Sequence, residues 1–273
     1  MPLESPRLLT PAQLDALRET EPDLLIVDVG APDRFARAHL PGAVHVSPAE
    51  LVSGTPPASG RLPEPARLAQ LVSRLGLRED TLVVACDDEG GGWAGRLLWT
   101  LEVLGHDRWA YLDGGLHAWA AEGRPFTDAT TERTPVDRPV TLDAGPVAEA
   151  KDVLAASETG AAQIWDARSR DEYTGARVAA ARAGHVPGAL HLDWLDLMDP
   201  QNGLRLREDV AAVVEAAGID LSRPIVTHCQ THHRSGLTWL VARLLGAEVR
   251  AYHGSWSEWG NREDLPVRTG DAP

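Results

Sequence analysis

The stretch His39-Leu-Pro-Gly-Ala-Val-His45-Val returns as His185-Val-Pro-Gly-Ala-Leu-His191-Leu, 146 residues further along the chain. Three other landmarks recur at almost the same spacing: Asp28 with Asp166, Gly105 with Gly246, and Trp119 with Trp259. A long and nearly constant spacing indicates two homologous halves, not a short-period solenoid. We therefore predict an N-terminal domain over residues 1–126, a linker over 127–146 that is rich in Thr, Pro and charge, and a C-terminal domain over 147–273.

Each half alternates short runs of β-branched residues with amphipathic segments. This pattern predicts the α/β class, with a mainly parallel sheet flanked by helices on both faces in each domain. The strands are expected at residues 24–28, 81–85, 164–166 and 224–227. Thr10, followed by Pro11, predicts a capped helix start, and Ser235 is expected to cap a helix that ends at Gly246.

One loop carries chemistry that stands out from the rest of the chain. Cys229 ends an apolar, strand-like run, and Gln230-Thr-His-His-Arg234 leads from it to the start of a helix-like pattern. Backbone amides and a helix N-terminus at such a position stabilise a thiolate or bind an anion. The residues from Pro224 to Ala247 include no Asp or Glu. The sequence therefore predicts a nucleophilic cysteine in positively charged surroundings.

The first half lacks this chemistry at the corresponding position. When the halves are aligned from the preceding strand, Asp87 stands opposite Cys229, and Cys86 stands opposite His228. The first loop reads Asp87-Asp-Glu-Gly-Gly-Gly, so three carboxylates occupy the place where an anion would enter. Such neighbours raise a thiol pKa, and we expect Cys86 to be buried. The N-terminal half is predicted to be catalytically silent.

Composition limits the classes of function. The 273 residues contain only two cysteines, which favours a reducing compartment over a disulfide framework, and the first 20 residues lack the apolar core of a signal peptide. We therefore expect a cytoplasmic protein. A net charge of −14 argues against broad binding of nucleic acid or anionic membranes. We expect no cofactor and no metal, since His228, Cys229, His232 and His233 have no second ligand pair to complete a zinc site.

These features together resemble the tandem-domain rhodanese family of thiosulfate sulfurtransferases, in which the N-terminal domain is inactive and the C-terminal domain is catalytic. The resemblance covers nearly the full chain: the strand ends at Asp28 and Asp166, the two His-x-Pro-Gly-Ala motifs, the Asp113-Gly-Gly and Gly254-Ser-Trp-Ser-Glu-Trp segments, and the cysteine loop. The loop Cys-Gln-Thr-His-His-Arg-Ser is similar to that of a bacterial rhodanese subgroup. It differs from the better-known thiosulfate and mercaptopyruvate loops, which leaves the physiological donor open.

The resemblance implies a double displacement through Cys229. This residue would take the sulfane sulfur of thiosulfate as a persulfide and pass it to cyanide or a thiol acceptor. Arg234 would supply a fixed positive charge for the donor, and His232 and His233 would donate hydrogen bonds or protons. The other loop positions expected to bind substrate are Gln230, Thr231 and Ser235. A thioredoxin-like or other sulfur-acceptor protein is a further candidate partner.

Several other residues admit two interpretations. His39 and His185 repeat in both halves, but the copy in the silent half favours a packing role at the Pro-Gly turn. The tryptophans that are expected mainly in the core are Trp99, Trp119, Trp239 and Trp259. Three arginines are predicted either to line the donor pocket or to lie on a solvated surface: Arg168, Arg170 and Arg182.

Two alternative functions stay open from the sequence. The first is a phosphatase or arsenate reductase of the same fold, whose active-site loop resembles a Cys-x5-Arg pattern. In this chain, four residues separate Cys229 from Arg234. This shorter spacing predicts a tighter loop, suited to a terminal sulfur better than to a phosphate. A non-enzymatic persulfide carrier for a partner protein is the second alternative, and it would load sulfur quickly but release it slowly to small thiols.

Overall fold

The computed structural model describes residues 7–273, which form two five-stranded parallel sheets flanked by α-helices and one small antiparallel pair. The first sheet contains β1 (Leu8–Leu9), β2 (Leu24–Val29), β3 (Ala43–Val46), β4 (Leu82–Cys86) and β5 (Trp109–Leu112). The second contains β6 (Val147–Ala148), β7 (Gln163–Asp166), β8 (Ala189–His191), β11 (Ile225–His228) and β12 (Val249–Tyr252). The small pair is β9 (Met198–Asp199) with β10 (Arg205–Leu206). The predicted α/β class is confirmed.

Ten α-helices lie in the described part of the chain. The first five are α1 (Pro11–Thr20), α2 (Pro32–Arg37), α3 (Pro65–Arg74), α4 (Gly92–Val103) and α5 (Gly115–Ala121). The others are α6 (Ala150–Thr159), α7 (Arg170–Thr174), α8 (Val210–Ala216), α9 (Arg234–Leu244) and α10 (Ser255–Trp259). Short 3₁₀ turns occupy Pro48–Glu50, Trp194–Leu197 and Pro200–Asn202. No helix within residues 7–273 combines the length and apolar character needed to cross a bilayer.

The two sheets have the same strand order. It is β1-β5-β4-β2-β3 in the first and β6-β12-β11-β7-β8 in the second, so β4 and β11 are the central strands. Asp28 pairs with Cys86 across the first sheet, and Asp166 pairs with His228 across the second. This register confirms the alignment of Cys86 with His228. The residues that follow, Asp87 and Cys229, therefore leave equivalent central strands at the carboxyl edge.

The predicted strand positions are confirmed to within about two residues at each end, but one predicted cap is wrong. Thr10 does cap α1, and its hydroxyl accepts a hydrogen bond from the Gln13 amide at 3.3 Å. Ser235 does not cap α9, which already begins at Arg234 with His233 in the capping position. The Ser235 hydroxyl instead bonds His232 Nδ1 at 2.8 Å. A serine before an apolar stripe normally caps the helix, but here its hydroxyl is used for a hydrogen bond within the loop.

The core residues match expectation. All four tryptophans singled out from the sequence are at most 2% exposed. His39 and His185 are fully buried and stack on Phe35 and Tyr173 with ring centroids 3.8 and 3.7 Å apart. The Nδ1 atom of each histidine also bonds the backbone oxygen of its stacking partner at 2.7 Å. The predicted packing role of both histidines is confirmed.

The chain forms two compact units, and each includes a short segment from the opposite half of the sequence. The first unit runs to Asp143 without Val52–Leu62 but includes Met198–Leu206. The second unit comprises Val52–Leu62, Ala144–Leu197 and Arg207–Pro273. The unit that carries the cysteine loop is therefore completed by eleven residues from the N-terminal half.

Candidate active site

Cys229 lies at the carboxyl edge of the second sheet, in the loop between β11 and α9. Ligands of open α/β sheets bind at this edge, where strand ends face helix starts. Cys229 is 1% exposed, and its thiol forms no disulfide. His232 has a φ of +53°, in the left-handed region that most residues avoid. The loop therefore turns sharply enough for Ser235, in the first turn of α9, to face back towards Cys229.

The surroundings of the thiol favour its ionised form. Burial alone would raise the pKa of Cys229, but the Arg234 charge and hydrogen bonds from the hydroxyl and amide of Ser235 outweigh burial and lower it. His233 contributes in the same direction. Three of the sequence-predicted residues, Arg234, Ser235 and His233, therefore act together on the sulfur. A lowered thiol pKa is the condition for a nucleophilic cysteine near neutral pH.

Arg234 is fixed by a carboxylate that the sequence reasoning missed. Its Nη1 and Nη2 atoms donate to Glu172 Oε2 and Oε1 at 2.6 and 2.9 Å. Glu172 is 4% exposed; burial acts to raise its pKa, but Arg234 and Ser169 together bring that pKa down to about 2. The pair is therefore ionised throughout the neutral range. A bidentate pair also holds the guanidinium in one orientation beside the loop.

The remaining predicted loop residues have distinct positions. His232 is fully buried and contacts Ser235 through Nδ1, whereas His233 is partly exposed and packs against Trp194 with ring centroids 5.6 Å apart. Gln230 donates from Nε2 to the Ala179 carbonyl at 3.0 Å. This bond directs the Gln230 amide towards the chain following α7. Thr231 is partly exposed and lies next to Gly60.

Ser255 is a second residue that the sequence reasoning missed. Its hydroxyl accepts hydrogen bonds from the amides of Cys229 and His232 at 3.3 and 3.1 Å and donates to the Tyr252 carbonyl at 2.9 Å. Ser255 has a φ of +52°, and Gly115 at the equivalent position of the first half has a φ of +50°. The sequence carried one signal for this residue: Gly114-Gly115 of the first half becomes Gly254-Ser255 in the second.

The start of α10 also binds the loop through its backbone. The amides of Trp256 and Ser257 donate to the carbonyls of Cys229 and Gln230 at 3.0 and 2.9 Å. In the first half the Leu116 amide donates to the Asp87 carbonyl at 2.9 Å in the same way. The two loops thus share one backbone hydrogen bond, from Trp256 to Cys229 and from Leu116 to Asp87, and their side chains differ in chemistry.

The three arginines for which the sequence left two interpretations have different environments. Arg168 is fully buried, bonds Asp166 through Nε and Nη2, and lies 4.3 Å from the Trp256 ring centroid. The predicted alternative of a solvated surface position is therefore wrong for Arg168, because the Asp166 carboxylate and the Trp256 indole stabilise its charge in the interior. Arg170 is exposed and pairs with Asp271. Arg182 is partly buried and binds the backbone carbonyls of Leu265 and Trp259 at 2.7 and 3.0 Å.

The corresponding loop of the first half, which begins at Asp87, binds a carboxylate of its own. Asp87 is fully buried, and its two oxygens accept the amides of Glu89, Gly91 and Ala94 at 3.2, 2.9 and 2.9 Å. Burial and the neighbouring Glu89 raise the pKa of Asp87 to about 6, against the effect of those amides. Amides that would be available for a bound anion are therefore occupied by a side chain.

Cys86 has surroundings opposite to those of Cys229. Its thiol is fully buried, and burial together with Asp28 and Asp87 raises its pKa well above the ordinary value. This confirms the expectation of a buried thiol beside acidic residues that raise its pKa. Across residues 7–273, no cluster of three or more His, Cys, Asp or Glu side chains is arranged to hold a metal ion.

Comparisons with known proteins agree with this geometry. The family model described as Rhodanese-like domain matches residues 10–122 and 149–262. The chain is 46% identical over 265 residues to a thiosulfate sulfurtransferase of Azotobacter vinelandii, covering 96% of this chain and 97% of that protein. It is 32% identical over 267 residues to the sulfur carrier protein TtuD of Thermus thermophilus, covering 93% and 90%.

A solved structure shows the same fold at lower sequence similarity. The anaerobic ergothioneine biosynthesis enzyme of Chlorobium limicola superposes with a TM-score of 0.85 at 21% identity, covering 97% of this chain and 70% of that chain. The predicted family is confirmed by the match in both halves. With one copy around the Asp87 loop and one around the Cys229 loop, the chain belongs to the rhodanese-like family.

Proposed function

We propose that this protein is a thiosulfate sulfurtransferase in which Cys229 carries the transferred sulfur. The observation that carries the proposal is the position of Cys229, a buried thiol that forms no disulfide, between the carboxyl end of β11 and the start of α9 at Arg234 and Ser235. The high identity to a thiosulfate sulfurtransferase over nearly the full length supports the same substrate. Thiosulfate is a dianion, so a local positive charge is needed in a chain whose net charge is −14.

The first half-reaction loads the enzyme. The Cys229 thiolate attacks the outer sulfur of thiosulfate, a new S–S bond forms, and the bond between the two thiosulfate sulfurs breaks. The electron pair of the broken bond leaves with sulfite, and Cys229 keeps an anionic persulfide. Arg234 stays charged and stabilises the negative charge on the sulfur through space, because its Nη1 and Nη2 atoms are paired with Glu172. The Ser235 donors continue to stabilise the sulfur anion.

The second half-reaction unloads the enzyme. Cyanide or a thiolate attacks the outer persulfide sulfur, the S–S bond breaks, and its electron pair returns to Cys229 as the thiolate. Thiocyanate or a new persulfide is the product. His233 is the partly exposed histidine of the loop, so we assign it contact with the entering or leaving groups. His232 is buried against Ser235, and we assign it to orienting that hydroxyl. Gln230, Thr231 and Ser235 complete the proposed binding loop.

The proposed setting follows from the same thiol chemistry. Two free, buried cysteines suit a reducing compartment, so we propose a cytoplasmic enzyme. The acceptor is proposed to be a small thiol, cyanide, or a thioredoxin-like or other sulfur-acceptor protein. The similarity to a sulfur carrier protein favours the persulfide-carrier function as the second candidate.

Intact-protein mass spectrometry tests the proposal. Incubation with thiosulfate is expected to add about 32 Da at Cys229 and release sulfite, and excess cyanide should remove the added mass. Cys229→Ala should abolish the gain, while Cys86→Ala, at the buried thiol of the silent half, should retain it. Full sulfur transfer by Cys229→Ala would refute the nucleophile assignment. Fast loading with slow release to small thiols would favour the carrier, and hydrolysis of an aryl phosphate without loading would favour the phosphatase.

A further inference from the structure

The segment Val52–Leu62 comes from the silent half of the sequence but belongs to the compact unit of Cys229. It closes on itself through backbone hydrogen bonds. The Ser53 amide donates to the Arg61 carbonyl at 2.7 Å, and the Gly54 amide donates to the Ser59 carbonyl at 3.0 Å. The segment therefore has a defined shape, which allows it to act on its neighbours.

Gly60 of this segment lies directly against the cysteine loop. A Cβ atom at Gly60 would be 2.1 Å from the Thr231 carbonyl oxygen and 2.5 Å from the carbonyl carbon. The φ of Gly60 is outside the left-handed region, so its backbone conformation does not require glycine. The close approach of Thr231 does, because it leaves no room for a Cβ atom. Thr231 stands between Cys229 and the left-handed His232. A displacement of the Thr231 carbonyl would therefore change the curvature of the loop.

The next residues attach the segment to the helix that holds the loop. Arg61 Nη2 lies 2.8 Å from Glu258 Oε1 and 3.1 Å from Glu149 Oε2. Glu258 belongs to α10, whose first amides bind the carbonyls of Cys229 and Gln230. The Leu62 amide donates to His253 Nδ1 at 3.1 Å, just before α10. One segment thus contacts the cysteine loop and the element that clasps it.

We propose that Gly60 and Arg61 are positioning residues for the cysteine loop. Gly60 sets how closely the segment packs on Thr231, and Arg61 fixes the distance from the segment to α10. Together they hold the loop so that the Ser235 hydroxyl and amide reach the Cys229 sulfur. This inference rests on the proposed role of Cys229. Small displacements matter because a shift of about 1 Å in a reacting group costs roughly a hundredfold in rate.

Gly60→Ala in the full-length chain is the test. We expect persulfide formation from thiosulfate to slow by about tenfold to a hundredfold. The pH at which Cys229 is half-maximally alkylated by iodoacetamide should rise, because the Ser235 donors lose contact with the sulfur. Ser59→Ala is the matched control on the same segment, since Ser59 contributes its backbone carbonyl to the Gly54 bond. The control should keep the rate of persulfide formation and the alkylation midpoint of the unaltered protein.

Arg61→Gln keeps the proposal testable if Gly60→Ala fails to fold. It removes the two ion pairs without adding bulk, and we expect a smaller loss of rate with the same upward shift of the alkylation midpoint. Urea unfolding separates loss of folded protein from loss of reactivity. Wild-type rates and midpoints in the folded variants would overturn the proposal. The alkylation midpoint needs no sulfur donor, so it tests the positioning role even if thiosulfate proves not to be the substrate.

Discussion

At the scale of single residues, equivalent positions in the two halves differ in chemistry while their backbones agree. Asp87 and Cys229 leave equivalent central strands, and their carbonyls accept amides from the short helices α5 and α10, respectively. Asp87 occupies its own loop amides with a carboxylate. Cys229 is instead surrounded by Arg234, His233 and Ser235, which lower its thiol pKa despite burial. Side-chain charge therefore distinguishes the surroundings of Asp87 from those of Cys229.

The charge of Arg234 is expected to be the main cause of this lowered pKa. Since a lowered pKa keeps the thiolate populated at lower pH, alkylation of Cys229 should be half-maximal below the pH typical of a free cysteine, about 8.5. Arg234→Gln removes the positive charge but leaves Glu172 beside the loop, so the midpoint should rise above that of the unaltered protein. The measurement is the pH dependence of iodoacetamide alkylation.

Arg243→Gln is the matched control for this prediction. Arg243 lies in the last turn of the same helix, about 13 Å along the axis from Arg234 at 1.5 Å per residue. The control changes net charge by the same amount and should leave the midpoint almost unchanged, because surface charges beyond about 8–10 Å are largely screened at physiological salt. Equal shifts in the two variants would mean that overall charge, not the local contact, sets the thiol pKa.

At the scale of elements, α10 combines backbone and side-chain contacts to hold the loop. Its first residue, Ser255, is left-handed, as is Gly115 at the start of α5. A left-handed conformation costs a residue with a Cβ roughly 1–2 kcal/mol. The offsetting gain is a hydroxyl that accepts the buried amides of Cys229 and His232. The second half thus keeps a left-handed serine at the point where the first half has glycine.

Two substitutions at Ser255 separate these effects. Ser255→Gly relieves the strain but leaves two buried amides without their acceptor, and we expect a net destabilisation of about 1–3 kcal/mol. Ser255→Ala loses the hydroxyl and retains the strain, so it should be less stable by about 1 kcal/mol more. Urea unfolding of both variants gives the comparison.

Ser257→Ala on the same helix is the control for Ser255. The Ser257 hydroxyl donates to the Gly254 carbonyl, while its amide, which binds the Gln230 carbonyl, is retained in the variant. The control should cost about 1 kcal/mol and leave Cys229 alkylation unchanged. A Ser255→Gly protein as stable and reactive as wild type would contradict the role assigned to the hydroxyl.

At the scale of the whole molecule, the compact units do not follow the sequence halves completely. Val52–Leu62 joins the second unit and Met198–Leu206 joins the first. In the second unit, Arg61 pairs with Glu149 and Glu258, and Gly60 covers Thr231. In the first unit, the Leu206 amide donates to Asp113 Oδ1 at 2.8 Å. Each compact unit therefore includes a short segment from the other half of the sequence.

A fragment comprising residues 147–273 is expected to be less stable than the second unit in the full chain. It lacks Val52–Leu62, so Glu149 and Glu258 lose their ion pairs with Arg61, and the cysteine loop loses its neighbour at Thr231. We expect a lower urea midpoint and slower persulfide formation from thiosulfate. The control is the full chain cut by a protease within residues 128–143, which keeps both exchanged segments. A fragment equal to the cut chain in both measurements would refute this account.

The sequence by itself determined the two-fold repeat, the parallel α/β class, the strand positions and the contrast between the Asp87 and Cys229 loops. These features follow from local periodicity and from comparison of the halves, so they require no knowledge of distant contacts. The tertiary structure alone decided that Glu172 fixes Arg234, that Ser255 holds the loop amides, and that Gly60 lies against Thr231. Glu172 is 62 residues from Arg234. Such pairings depend on the three-dimensional meeting of distant segments, which the hydrophobic pattern of one segment does not encode.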